Sequence, residues 1–233
     1  MDFRDRQVVI TGGTGALGTA VVGGLLAAGA VCHVPCQLAP HAENFAHRNH
    51  RNVVLRIAGD LADEATVEGV FNETQKLWAS IHVAGGFAFG ALAETSAADL
   101  RRQIDMNLVS CLLCCRAAVS LIARTGEGGR IVNVAARPGV EWRQGARMVP
   151  YTAAKAGVAA LTAALAEEVV SQGILVNAVA PSIMDTPDNR RAMPNADHAA
   201  WPKVEDVART ILFLASPENK VTRGAIVPVY GRS

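Results

Sequence analysis

A tyrosine and a lysine stand four residues apart in "PYTAAKAG" (150–157), where most other side chains are small and inert. On a helix, positions i and i+4 share a face, so Tyr151 and Lys155 would project together. A free phenol keeps its proton up to a pKa of about 10. A neighbouring ammonium, or an oxidised nicotinamide, favours phenolate and draws that value down. A phenol so tuned can give a proton to a carbonyl oxygen or take one from an alcohol. Spacing alone leaves an exposed surface pair open, and context has to decide.

A second chemical signal is "TGGTGALG" (11–18). Glycines at 12, 13, 15 and 18 permit a tight turn and a close backbone approach. A helix opening at Ala16 would then present free N–H groups to an anion. A plain turn also needs glycine, but here a strand precedes the loop and a helix follows, which favours a dinucleotide site. "CLLCC" (Cys111, Cys114, Cys115) looks like half a metal site without a second ligand pair. Core thiols on a buried helix are the expectation, and no metal is expected.

The elements that must position these groups alternate along the chain. Short β-branched or apolar runs at 7–11, 30–34, 53–60, 80–86, 130–135, 174–181 and 225–229 predict seven strands. Helical patterns cover 16–28, 64–78, 96–124, 151–171 and 204–215. Ser96 with Asp99 forms a capping-box signature. The strands lack polar alternation, as expected for a parallel sheet covered on both faces. Strand–helix alternation with right-handed crossovers predicts a doubly wound α/β sheet in one domain, 1–233. The irregular stretch around 184–202 leaves a strand's C-terminal end, where ligand-covering loops arise in such sheets.

Bulk properties narrow the classes. The 233 residues are half hydrophobic and carry a net charge of +1. No basic stripe with interleaved aromatics is present, so nucleic acid is not an expected partner. The cluster His47, Arg48, His50, Arg51 reads as a solvated loop. No run of about 18 uninterrupted apolar residues predicts a membrane span. Five cysteines, and an N-terminus without an apolar signal core, point to reduced thiols and a cytoplasmic setting.

With these pieces in order, the chain resembles the short-chain dehydrogenase/reductase family over essentially its whole length. "TGGTGALG" is similar to its TGxxxGxG fingerprint, with Ala16 for the middle glycine. The pair Tyr151 and Lys155 is similar to YxxxK. The resemblance implies a Rossmann-type fold and an NAD(P) site made by Gly12, Thr14, Gly15, Ala16, Leu17 and Gly18, with Asp60 and Leu61 at the adenine. A helix cap for the next segment is the alternative role for Asp60. "HVAGG" (82–86) stands where the family has NNAG. Ala84 and Gly85 are kept, and the lost asparagines predict a lost tie between neighbouring strands. "PSIMDT" (181–186) resembles PGxxxT, which implies cofactor contacts from Pro181, Ile183 and Thr186. Ser182 is tolerable there if its φ is negative. Asn107 is similar to a family residue that distorts its helix and holds a water for the lysine.

The end of the second strand selects the cofactor. Cys36 and Gln37 stand there, with neither acid nor arginine. An acid would repel a 2′-phosphate. Its absence, with His41 nearby, puts NADP ahead of NAD. The chief departure lies before the tyrosine. The family usually reads I-V-N-x-S-S, and this chain reads "IVNVAA", with Ala135 and Ala136. Dihydropteridine reductases of the same family also keep Tyr and Lys without that serine. The implied function is an NAD(P)H-dependent oxidoreductase of a small-molecule carbonyl or C=N compound, with Tyr151 as proton donor or acceptor. The alternative is a nucleotide-binding regulator or scaffold with little reductase activity. The small residues of the 151–171 helix and the family resemblance imply a homodimer or homotetramer.

Overall fold

The structure is a computed structural model that describes residues 1–233. The seven strands are β1 (Gln7–Thr11), β2 (Val31–Cys36), β3 (Val53–Ile57), β4 (Leu77–His82), β5 (Gly129–Val134), β6 (Ile174–Pro181) and β7 (Ile226–Val229). They form one sheet in the order β3-β2-β1-β4-β5-β6-β7, with every pairing parallel. The order reverses between β1 and β4, and that reversal opens a crevice at the carboxyl ends of the strands.

Helices cover both faces. They are α1 (Ala16–Ala27), α2 (Ala39–Glu43), α3 (Glu64–Asn72), α4 (Ala97–Ile104), α5 (Ser110–Ala123), α6 (Arg137–Val140), α7 (Val149–Glu168), α8 (Pro187–Ala192) and α9 (Val204–Ala215). Neighbouring residues of β1 point to opposite faces. Val8 and Ile10 join the core under α1 and α9, while Val9 joins the one under α5 and α7. Fully buried Ile81, Ile131, Ile211 and Leu214 anchor these layers. Each such side chain stabilises the fold by roughly 1.5–3 kcal/mol relative to exposure.

Two expectations shift. The helix predicted over 64–78 ends at Asn72, and Leu77 begins β4 instead. Its apolar spacing matched a helix face, but pairing with Gln7 of β1 claims it for the sheet. The stretch around 184–202 is also more ordered than an irregular loop. It contains α8, capped by the Thr186 hydroxyl, which accepts from the Asn189 N–H at 3.2 Å. Arg190 pairs with Asp185 and Arg191 with Asp188, so these cations are locally satisfied.

Helices α4 and α5 are joined through a wider π turn over Asp105–Val109, giving one continuous helical run, Ala97–Ala123. This run and α7 are long and apolar enough to cross a membrane by composition. Their buried faces instead pack against the sheet, through Cys114, Ala118 and Ile122 on α5 and Val158 and Ala166 on α7. No uninterrupted apolar run underlies either helix, and core helices of this kind pass the same length test.

Candidate active site

The glycine loop connects β1 to α1 and bends sharply. Gly12 has φ +65°, and a Cβ there would stand 2.6 Å from the Ala84 backbone nitrogen. A Cβ on Gly18 would stand 2.1 Å from the Gly12 carbonyl oxygen. The loop therefore folds tightly on itself and against the exit of β4. No side chain caps α1, and no acid lies in its first turn. Its leading N–H groups are left for an external acceptor.

A cleft of about 720 Å³ opens over this loop. Its walls include Gly12, Thr14, Gly15, Ala16, Leu17 and Gly18, then Cys36, Asp60 and Leu61, then Ala84, Gly85 and Thr186. These residues come from the carboxyl ends of five strands, β1, β2, β3, β4 and β6, and meet only in the fold. Gln37 and His41 also line the cleft beyond β2. Asp60 accepts from the Ala62 N–H at 3.0 Å, while Asp63, not Asp60, caps α3. Missed from the sequence were Met106, Ser110, Met184 and Asn189. Met106 lies in the π turn, and Ser110 opens α5 directly after it. Asn189 is held by the Met184 carbonyl, which accepts from its side chain at 2.8 Å.

Tyr151, Lys155, Asn107, Pro181 and Ile183 are not on the walls of that cleft. Asn107 and Lys155 meet at Gly85, and the Tyr151 ring stands beyond the lysine. A Cβ on Gly85 would stand 2.6 Å from Asn107 Oδ1 and 3.4 Å from Lys155 Nζ. Asn107 sits in the π turn, the helix distortion expected of it. Its amide donates to the Gly86 and Gln103 carbonyls at 2.9 and 3.0 Å, and its oxygen accepts from the Gly86 N–H. The Lys155 ammonium donates to the Val134 carbonyl at 2.7 Å and lies 5.9 Å from the centre of the Tyr151 ring. Pro181 ends β6 in the core, and Ile183 follows it as a half-exposed residue. Ser182 does not adopt a positive φ, so serine is tolerated where the motif has glycine.

The electrostatics differ from the sequence expectation. Burial pushes the Tyr151 phenol up to about 12 and pulls the Lys155 ammonium down to about 8. The ammonium is bonded to a backbone carbonyl and stands off the phenol, so within the chain desolvation outweighs its pull. At neutral pH the phenol is a proton donor. Lys155 is a buried cation with one protein acceptor and three N–H donors, which suits a pair of sugar hydroxyls. That, with the uncapped α1 and the glycine cradle, fits a nicotinamide dinucleotide.

Ala136 is buried and extended at the start of α6. No hydroxyl stands at its position, and none occurs from 131 to 150.

Behind the site lies a polar knot. The tie predicted to be lost with the asparagine of NNAG is made by His82. Its Nδ1 lies 2.8 Å from Asn133 Oδ1, joining β4 to β5. The direction of each bond follows from the far end. The Thr162 hydroxyl donates to the Val158 carbonyl, so it accepts from Asn133 Nδ2 at 2.9 Å. Asn133 Oδ1 therefore faces His82 and accepts its Nδ1–H, leaving Nε2 to accept from Ser80 at 2.7 Å. The thiols of Cys111 and Cys115 point at the same oxygen, at 3.4 and 3.5 Å. The cysteines are buried thiols, as expected, but they pack on a polar group that the sequence did not reveal. The knot ties α5, β4 and β5 to α7, and Asn133 adjoins the Val134 carbonyl that holds Lys155. His82→Leu should lower unfolding free energy by about 1–3 kcal/mol, because Asn133 and Ser80 lose a buried partner. Urea unfolding measures it, and an unchanged midpoint would contradict the assignment.

A family model described as short chain dehydrogenase matches residues 6–197. The chain belongs to the short-chain dehydrogenase family. Members of this family are NAD(P)-dependent oxidoreductases, which is the coarse class of this chain. It is 34% identical over 201 residues to the (2S)-[(R)-hydroxy(phenyl)methyl]succinyl-CoA dehydrogenase subunit BbsD of Thauera aromatica, covering 81% of this chain and 79% of that one. It is 33% identical to the cis-4-hydroxycyclohexanecarboxylate dehydrogenase of Sinomonas cyclohexanicum, covering 98% and 96%. Among short-chain dehydrogenase structures, an oxidoreductase from Burkholderia thailandensis superposes with a TM-score of 0.87 at 27% identity, over 97% of this chain and 91% of that one. ElxO with NADP bound superposes with a TM-score of 0.88 at 24% identity, over 97% of each chain, a likeness of fold.

Proposed function

We propose that this chain interconverts a carbonyl, or a related C=N group, and its reduced form on a small molecule, with NADP(H) preferred over NAD(H). The observation that carries the reading is the meeting of Asn107 and Lys155 at Gly85, on the wall of the glycine-floored cleft, with the Tyr151 ring beyond the lysine. The cofactor, when bound, supplies or accepts the hydride. Gly12, Thr14, Gly15, Ala16, Leu17 and Gly18 hold its phosphates, and Asp60 and Leu61 its adenine. Cys36 stands by the adenine ribose, where no acid opposes a 2′-phosphate and His41 offers a donor. Ala84, Gly85, Pro181, Ile183 and Thr186 border the nicotinamide end.

Tyr151 delivers its proton to the substrate oxygen or nitrogen. Lys155 holds the nicotinamide ribose and restores the phenol's proton. Asn107 keeps the π turn open beside Lys155, so that the relay has a path. In the reverse direction Tyr151 must first lose its proton, so oxidation should accelerate with rising pH while reduction does not require it. Exposed Leu100 on α4, Leu112 on α5 and Val149 on α7 support a homodimer or homotetramer built on these helices.

The alanine at 136 favours a second reading, a nucleotide-binding regulator with little turnover. Restoring the hydroxyl measures what its absence costs, and wild-type turnover separates the two. A preorganised donor at a reacting oxygen contributes about 10²–10³ in turnover. Ala136→Ser should therefore raise kcat on simple ketones by roughly tenfold or more. Steady-state NADPH oxidation measures it. A wild-type chain that binds NADPH in a thermal-shift titration, yet oxidises none with ketones, quinones or pterins, would favour the regulator.

A further inference from the structure

The most exposed aromatic rings of the chain are Trp142, Phe89 and Phe87, at 71%, 61% and 59% exposure. They sit on two segments, 83–92 after β4, whose Ala84 and Gly85 line the cofactor cleft, and 141–148 before α7. The first, "VAGGFAFGAL", has no charged side chain. The two segments are joined where the Gly90 N–H donates to the Arg147 carbonyl at 2.9 Å. Phe87 stands edge-on to Tyr151, with ring centres 5.3 Å apart and planes at 88°. Phe87 is therefore a direct neighbour of the Tyr151 ring.

Arg147 is the polar counterpart. Its guanidinium lies 5.2 Å over the Phe89 ring, is exposed and makes no ion pair. The nearest acid on its segment, Glu141, is taken by Arg137. Arg147 also has φ +61°, a left-handed conformation that disfavours a long side chain. Such strain persists where surrounding structure enforces it, and it clusters at ligand clamps. Arginine is also the side chain best shaped to grip a carboxylate in a two-pronged bond.

We propose that this mouth binds a ring-bearing carboxylate, its ring against Phe87 and its carboxylate on Arg147, so that these two residues set substrate choice. The assignment rests on Tyr151 being the reacting acid. A polar or purely aliphatic substrate would leave Phe87 and Phe89 in water. A neutral aromatic one would leave Arg147 without a counter-ion. Phe89 holds the guanidinium from below, which limits its freedom before the anion arrives.

The test uses the full chain with saturating NADPH and four ketones: an aryl keto acid, its primary amide, and a straight-chain keto acid with its amide. The aryl keto acid should exceed both its amide and the straight-chain acid in kcat/KM by roughly tenfold. Phe87→Ala should erase the ring preference and keep the charge preference. Arg147→Gly, which suits the left-handed backbone and keeps the bond from Gly90, should do the reverse. Equal kcat/KM across the four ketones overturns the proposal. So does a charge preference that survives Arg147→Gly, or a change of oligomeric state in Phe87→Ala, which would make the rings a subunit contact. If no ketone turns over, thermal shift with the same four compounds decides. A retained preference for the aryl acid then removes only the reductase reading, and no preference removes this one.

Discussion

Tyr151→Phe should lower kcat by about 10²–10⁴, the usual contribution of a positioned general acid. NADPH affinity should change little. The reasoning is local. Tyr151 enters no hydrogen bond within the chain that the fold depends on, and its ring packs edge-on against Phe87, a contact that phenylalanine preserves. The substitution removes one proton and almost no volume. Loss of turnover with intact folding and cofactor binding would therefore report on the proton. Stopped-flow hydride transfer separates this step from product release. If Tyr151→Phe retained most of its rate, another group would have to protonate the substrate, and the mechanism above would fail.

Lys155→Met should be as damaging to turnover, and it has a second signature that does not depend on activity. Lys155 is buried, and burial lowers its pKa from 10.5 to about 8. Below pH 8 the side chain is charged in both the folded and unfolded chain, so it contributes no slope. Between pH 8 and 10.5 the unfolded chain binds more proton than the folded one. Unfolding free energy should rise with pH across that window by this contribution. Methionine has similar length and no charge, so Lys155→Met should flatten the rise. It should also relieve a desolvated ammonium, at the expense of the bond to Val134. The measurement is urea unfolding of both proteins at pH 7, 8, 9 and 10. A wild-type slope equal to that of the variant would mean that the lysine is not desolvated as the structure places it.

These two residues were the most legible part of the chain. Tyr151 and Lys155 drew notice by helical spacing and gained meaning only from the motifs around them, as the glycine loop did from its place between a β-branched run and a helix. The seven strands were readable because each is a short apolar run, as a covered parallel sheet requires. Asn107 was named as a helix-distorting residue, and a π turn stands at that position. What was hidden depends on separation. His82 and Asn133 are 51 residues apart, and nothing near either one announces that they meet. The histidine could be read only as a missing asparagine. Phe87 and Arg147 were invisible for the same reason, since two loops become one mouth only through Gly90 and Arg147. The helix that overran to 78 failed for another reason. Leu77 satisfies a helical face and a strand equally well, and only the neighbouring strand decides.

The absence of a hydroxyl at Ala136 gives the site its particular character. In the proposed mechanism Tyr151 is left as the single positioned proton donor beside the substrate. In the chain alone its proton is held tightly, up to about 12. That favours protonating a substrate over deprotonating one. A carbonyl that is already polarised, or flanked by a ring and an anion, needs the missing hydroxyl least.

The most direct trial of the central claim is isotope transfer. The chain is incubated with NADPH carrying deuterium on the transferable nicotinamide position and with an aryl keto acid, and the product is read by mass spectrometry. The account predicts one deuterium on the new carbinol carbon in the wild-type protein and its near-absence with Tyr151→Phe over the same time. Bound NADPH that passes no deuterium to any carbonyl or C=N compound would contradict it.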